Sequence, residues 1–207
     1  MEIDLIEAAG AVRRAVDDRT VDGAPAKAVV AIRTYEADID DVWDAITNAE
    51  RIPRWLAPIS GDLCLGGTYQ LEGNAGGTIT TCDAPRHLAV TWEYGGQVSW
   101  VDVTLTTVEH GTSLRLEHVA PVDPHWGEYG PGAVGIGWDL SLLGLLDHLA
   151  TGGGPADPAE VFASPDGIRF MQASSLGWCE ADIAGGTPAD VARAAEARTI
   201  AAYTATE

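Results

Sequence analysis

Residues 101–119 read VDVTLTTVEHGTSLRLEHV, two runs in which apolar and polar side chains alternate on either side of a turn signal. Strict alternation places successive side chains on opposite faces of a β-strand, so each run has one face made for burial. With His110-Gly111 as the central pair of the turn, Glu109 faces Thr112, Leu105 faces Leu116 and Val103 faces His118. Val101, Val103, Leu105, Leu114, Leu116 and His118 then share the inward face, and Asp102, Thr104, Thr106, Arg115 and Glu117 the outward one. His118 points inward and Glu117 outward, so this Glu-His dipeptide cannot act as an acid–base pair. Trp100 shares the outward parity of Asp102.

Upstream of this hairpin, period two continues. DLCLGGTYQLEG (62–73) gives Leu63, Leu65, Tyr69 and Leu71 one parity, with Gly66-Gly67 allowing a bend between them. TITTCDAP (78–85) and HLAVTWEYGG (87–96) follow, the latter with Leu88, Val90, Trp92 and Tyr94 on one face. The expectation is an antiparallel meander with one apolar face. Before it, KAVVAIRTYEADIDDVWDAITNAERIPRWL (27–56) passes from strand to helix. Asp38 is placed to cap that helix, Asp40 and Asp41 to sit in its first turn, and Val42, Trp43 and Ile46 to form its buried stripe. Residues 1–26 read as a short helix followed by an edge hairpin turning at Asp22-Gly23.

After the Pro- and Gly-rich loop VDPHWGEYGPG (122–132), the strongest helical pattern in the chain opens at Pro131 and closes at Gly152 to Gly154. Val134, Trp138, Leu142, Leu145, Leu146 and Leu149 make a broad stripe, while Ile136, Leu140 and Leu143 lie opposite it. A helix apolar nearly all round needs cover on both sides. Gly137, Ser141 and Gly144 add a small-residue strip that would let another backbone approach, from the tail or, if the tail leaves it open, from a homodimer. Ser164-Pro165 and Thr187-Pro188 mark two tail helices, about 165–184 and 188–203, after a short turn near 158–163. TGGGPAD (151–157) is the linker candidate.

The 207 residues fit one core with extensions, and 31 acidic against 12 basic side chains give a net charge of −19. That field disfavours nucleic acid and anionic membrane as partners. Cys64, Cys82 and Cys179 are odd in number and widely spaced, which suggests neither a disulfide framework nor a zinc knuckle. An acidic N-terminus unlike a secretory signal, and no apolar run approaching the length of a membrane span, lead to the expectation of a soluble cytoplasmic protein. Gly132, Gly135 and Gly137 miss the spacing of a dinucleotide loop, and APISGDL (57–63) is not a nucleophile elbow. The histidines at 87, 110, 118, 125 and 148 carry no metal-binding spacing, so neither metal nor cofactor is expected.

The strand, helix, antiparallel meander, long helix order is α+β. YEADIDDVWDAITNAERIPRWLAP, LGGTYQLEG, RHLAVTWEY, GTSLRLEHV and GWDLSLLGLLDHL, in this order, resemble the signatures of the START-like, or SRPBCC, superfamily in its branch homologous to the activator of the Hsp90 ATPase. The resemblance covers residues 27–150, leaving 1–26 as an N-terminal extension and 151–207 as a helical extension packed on the domain, of a kind seen in some bacterial members. It implies a helix-grip fold, in which a curved antiparallel sheet is wrapped around the long C-terminal helix, with a cavity between them that holds a hydrophobic small molecule. By strand parity and helix phase the lining would be Tyr69, Trp92, Val103, Leu116, His118, Trp138 and Leu142, with Trp55 near the mouth.

A non-catalytic protein binding a hydrophobic or aromatic ligand is the favoured reading. In a cyclase or aromatase of the same superfamily, His118 would be the candidate proton carrier, assisted by Tyr69 or Asp139. A co-chaperone role, which the branch name invites, meets a surface with little positive charge. For His118 the alternative is a core histidine satisfied by a neighbour, and Trp43 and Trp178 read as packing. His125 and Trp126, in the loop before the long helix, could border a pocket opening or simply pack that loop.

Overall fold

In a computed structural model of the chain, the described residues are 4–153 and 163–204. The expected linker and the short turn near 158–163 fall largely on residues 154–162, outside them. The elements in chain order are α1 (Leu5–Gly10), β1 (Arg13–Val21), β2 (Ala24–Tyr35), α2 (Ile39–Thr47), a single 3-10 turn (Ile52–Arg54), β3 (Ile59–Gly61), β4 (Thr68–Leu71), β5 (Gly76–Asp83), β6 (His87–Tyr94), β7 (Gln97–Val108) and β8 (Gly111–Pro121). Among the described residues four helices follow: α3 (Pro124–Tyr129), α4 (Gly132–Thr151), α5 (Pro165–Ala184) and α6 (Ala189–Thr204). Among the described residues the strands form one eight-stranded sheet in the order β1-β2-β8-β7-β6-β5-β4-β3.

The chain divides into two compact units, Met1–Ala31 with Pro121–Leu143 and Ala156–Glu207, and Ile32–Ala120 with Gly144–Pro155. The second holds the meander. Its long hairpin pairs Val108 with Gly111, Leu105 with Leu114, Val103 with Leu116 and Val101 with His118. The turn is therefore Glu109-His110, one residue earlier than expected, which moves every cross-strand partner by two. A shift of two preserves parity. Val101, Val103, Leu105, Leu114, Leu116 and His118 are all buried, as the alternation requires. Gly111 explains the choice of turn. It takes a φ of 124°, and a Cβ there would lie 2.0 Å from the carbonyl oxygen of Tyr35, so no other residue can start β8 at this point.

Two further expectations are corrected in this unit. Residues 62–67 form a loop, held to β5 through Gly66 N to Ile79 O (2.8 Å) and Ile79 N to Gly67 O (2.9 Å), and Leu65 is 63% exposed. The alternation does not run through the two glycines, and the strand beside β4 is Ile59–Gly61. Tyr94, at the end of β6, is exposed instead of sharing the buried face of Leu88. Asp38 occupies the N-cap of α2 but makes no side-chain cap bond; its carbonyl accepts from Asp41 N and Val42 N, each at 3.0 Å. Gly144 is buried because the carbonyl of Trp55 approaches it: an added Cβ would lie 2.5 Å from that oxygen. The backbone that approaches the strip here is that of Trp55 and not the tail that was expected to cover it, and Gly137 is exposed.

The first unit contains the β1 hairpin and the tail. Asp22 (φ 51°) and Gly23 (φ 81°) both adopt positive φ, the mirror-image turn that joins twisted strands. The segment before α4 is not all loop: Asp123 Oδ1 accepts from Trp126 N at 2.8 Å and Pro124 supplies the first residue of α3. The tail helices form within a residue of the expected limits, and Ser164 Oγ accepts from Gly167 N at 3.0 Å.

α5 and α6 cover the first half of α4 through its glycines: a Cβ at Gly135 would lie 2.3 Å from the indole of Trp178, and one at Gly132 3.1 Å from Thr199. By length and composition α4 is apolar enough to cross a membrane, contrary to the expectation that no run approaches that length. Burial of half its most apolar window within the protein, and the pairing of Asp139 with Arg14, mark it as a core helix.

Candidate functional site

The inward face of the meander is built in cross-strand rows. Leu88, Val103 and Leu116 make one row, Val90, Val101 and His118 the next, and Trp92 pairs with Ser99 in the third. The sheet therefore brings together four of the expected site residues: Val103 and Leu116 as direct partners, and Trp92 and His118 with ring centroids 6.1 Å apart. Tyr69 joins them through a buried cluster with Ile52, Leu71 and Ile79, against which Leu88, Val90 and Trp92 pack.

A polar pair interrupts this apolar face, which also carries the fully buried Thr112. His118, 6% exposed, lies with Nε2 2.8 Å from Ser99 Oγ, and Ser99 Oγ donates to the carbonyl of Trp92 at 3.0 Å. Burial drives the imidazole pKa from 6.5 down to about 4, so the ring is neutral at physiological pH. Ser99 was missed in the sequence because the inward set was started at Val101. One more step of the same alternation, already implied by the outward parity of Trp100, would have reached it.

Tyr69 is held as a hydrogen-bond donor. Its hydroxyl donates to Thr91 O at 2.8 Å, and burial, with the nearby Glu93 charge, raises the phenol pKa well above the ordinary value. Trp55, half-buried after the 3-10 turn, donates from Nε1 to the carbonyl of Ala45 at 2.9 Å, which anchors it to α2. Trp138 and Leu142 lie on the part of α4 that belongs to the first unit, Trp138 half-buried and Leu142 buried.

Asp139, named as a possible assistant to His118, has other partners. It is fully buried in the first unit, and its Oδ2 accepts from Arg14 Nε (2.9 Å), Ser174 Oγ (2.5 Å) and Trp178 Nε1 (3.1 Å) while pairing with Arg14 NH2 at 2.7 Å. Burial raises its carboxyl pKa against the lowering pull of Arg14. Trp178 packs as expected, and it also supplies one of these donors. No pattern within one segment could have signalled this cluster, since Arg14 and Asp139 are 125 residues apart.

The remaining histidines are spread over the fold. His87 meets Asp102 at 2.6 Å on the outward face, and His148 receives Arg51 Nε at 3.1 Å. His125 packs on Tyr129, with ring centroids 4.8 Å apart, and His110 is exposed at the hairpin tip. Among the described residues no three metal-binding side chains converge.

A family model described as activator of Hsp90 ATPase homolog 1-like protein matches residues 36–150. The crystal structure of CalU16 from Micromonospora echinospora is 34% identical, with a TM-score of 0.68 over 83% of this chain and 98% of that one. The solution structure of the same protein gives 33% identity and a TM-score of 0.71 over 85% and 97%. DynU16, described as a putative protein in the dynemicin biosynthetic locus, shares the fold at 22% identity and a TM-score of 0.57, over 61% of this chain and 48% of that one. None of the curated proteins matches the chain. The architecture common to these structures is the helix-grip fold expected from the sequence.

Proposed function

Because the chain belongs to the activator of Hsp90 ATPase homologue 1-like family, we propose that the inward face of its meander binds a hydrophobic small molecule with an aromatic part. The observation that carries this reading is the pair His118–Ser99, set beside Trp92 in a face built mainly of Leu, Val and Ile. Apolar walls with one or two fixed polar groups suit small-molecule recognition: the walls supply affinity and the polar groups orient the guest. Trp92 offers a ring for stacking. The dynemicin locus named for DynU16 is a setting in which such a guest would be a biosynthetic product or intermediate.

Native mass spectrometry of the protein purified from cells, followed by thermal-shift screening against bicyclic and polycyclic aromatic compounds, tests the proposal. A bound mass, or saturable stabilisation that Trp92→Ala reduces, is the expected result. A protein that stays empty and responds to no compound of this class would overturn it.

A further inference from the structure

Every α-helix begins with amides that have no partner inside it, and a Ser, Thr, Asp or Asn at the N-cap ordinarily meets one of them. Asp4, Asp123 and Ser164 do this for α1, α3 and α5. α4 starts differently. Its first carbonyl acceptor is Pro131, which receives Gly135 N at 2.8 Å and Val134 N at 3.3 Å. A proline therefore stands at the N-cap, and its ring has no polar atom to offer the amides of Gly132 and Ala133.

The helices packed on this start supply a polar group instead. A cavity of about 10 Å³ lies between Gly132 on α4 and Ser175, Cys179, Ala192 and Glu196 on α5 and α6. Ser175 is 1% exposed, and among the described residues its Oγ has no hydrogen-bond partner. The hydroxyl is turned toward the helix start, since a Cβ added to Gly132 would stand 3.8 Å from Ser175 Oγ. A buried hydroxyl left unmatched is costly. Here it shares a cavity with helix amides that it does not reach, so one bridging molecule would satisfy both.

Size and charge define that molecule. The space is that of one water. An anion is opposed by Glu196: burial first, and then the charge of this carboxylate, push up the pKa of the Cys179 thiol on the cavity wall. A metal ion would find too few ligands, because among the described residues no three metal-binding side chains converge.

We propose that this cavity is a binding site for a single water molecule, which accepts a hydrogen bond from the first turn of α4, bonds Ser175 Oγ, and serves as the N-cap that Pro131 cannot provide. Ser175 then caps a helix to which it does not belong. The site lies wholly within the first unit and is independent of the ligand proposed for the meander.

A high-resolution crystal structure of the full chain should show a water within hydrogen-bond distance of Ser175 Oγ and of Gly132 N or Ala133 N. Ser175 Oγ bonded instead to a carbonyl of its own helix, with no water between it and α4, would sink the proposal. Urea unfolding provides a second arm. Ser175→Ala removes a partner of the water and should raise the unfolding constant about fivefold, although alanine is the better helix former. An unchanged or lowered constant would show the hydroxyl to be a dry, unmatched group and would count decisively against the water. Pro131→Ser gives α4 a cap of its own, so in that background the effect of Ser175→Ala should shrink to about twofold or less. An equal effect in both backgrounds would refute the capping role.

Discussion

Acidification should destabilise this protein through His118, by an amount that can be calculated. Burial holds the ring pKa at about 4 in the folded chain against 6.5 for an ordinary histidine. Between those two values the unfolded chain binds a proton that the folded chain refuses, so stability falls as the pH drops through 6.5 and the loss is complete below 4. From about pH 7.5 to about pH 4.5 the cost is about 2–3 kcal/mol, a large part of the stability of an ordinary domain. Other groups contribute to the pH dependence too, so the measurement is a difference of differences. Urea unfolding of wild type and His118→Gln is followed at several pH values, and the wild type should lose about 2–3 kcal/mol more than the variant over this interval. Glutamine cannot take up the proton, and the other groups cancel between the two proteins. Parallel pH curves for the two proteins would refute the buried, neutral histidine.

Three further outcomes are expected. Gly135→Ala should destabilise by about 1–3 kcal/mol in urea unfolding despite the better helix propensity of alanine, because the added methyl falls 2.3 Å from the Trp178 indole; a raised midpoint would count against that packing. Asp139→Ala leaves the Arg14 guanidinium buried without its carboxylate and should cost about 3–5 kcal/mol. The double change Arg14→Met with Asp139→Leu should recover most of that loss in the same assay. In a thiol titration with an aromatic disulfide reagent, Cys64 and Cys82 should react in the native protein and Cys179 only after unfolding, in keeping with their exposed and buried positions; three fast thiols would contradict the burial.

The inward orientation of His118 was legible because a strand has a period of two, and a register error of two residues leaves every face unchanged. The register itself was not legible: Glu109, His110 and Gly111 all suit a turn, and the choice depends on the carbonyl of Tyr35, far away in sequence, pressing on Gly111. Counting alternation through Gly66-Gly67 assigned Leu65 to a face it does not occupy, since glycines are where a strand pattern breaks. The capping signal of Asp123 and Pro124 was present but lay among glycines and prolines that read as loop. Within the site, parity reached Trp92, Val103, Leu116 and His118. It could not show that the hydroxyl of Tyr69 or the indole of Trp55 is held by a backbone carbonyl, because those partners come from other segments.

The last helix holds the segment leading into α4 by its main chain. Arg198 Nε donates to the carbonyl of Glu128 (2.6 Å), Thr199 Oγ1 to that of Tyr129 (2.6 Å) and Tyr203 Oη to that of Ala133 (3.0 Å). A carbonyl is the same whatever side chain it carries, so mutational drift at 128, 129 and 133 leaves the three acceptors unchanged. The path of this stretch is thereby insulated from its own sequence, while the burden of constancy shifts to three donors about seventy residues downstream.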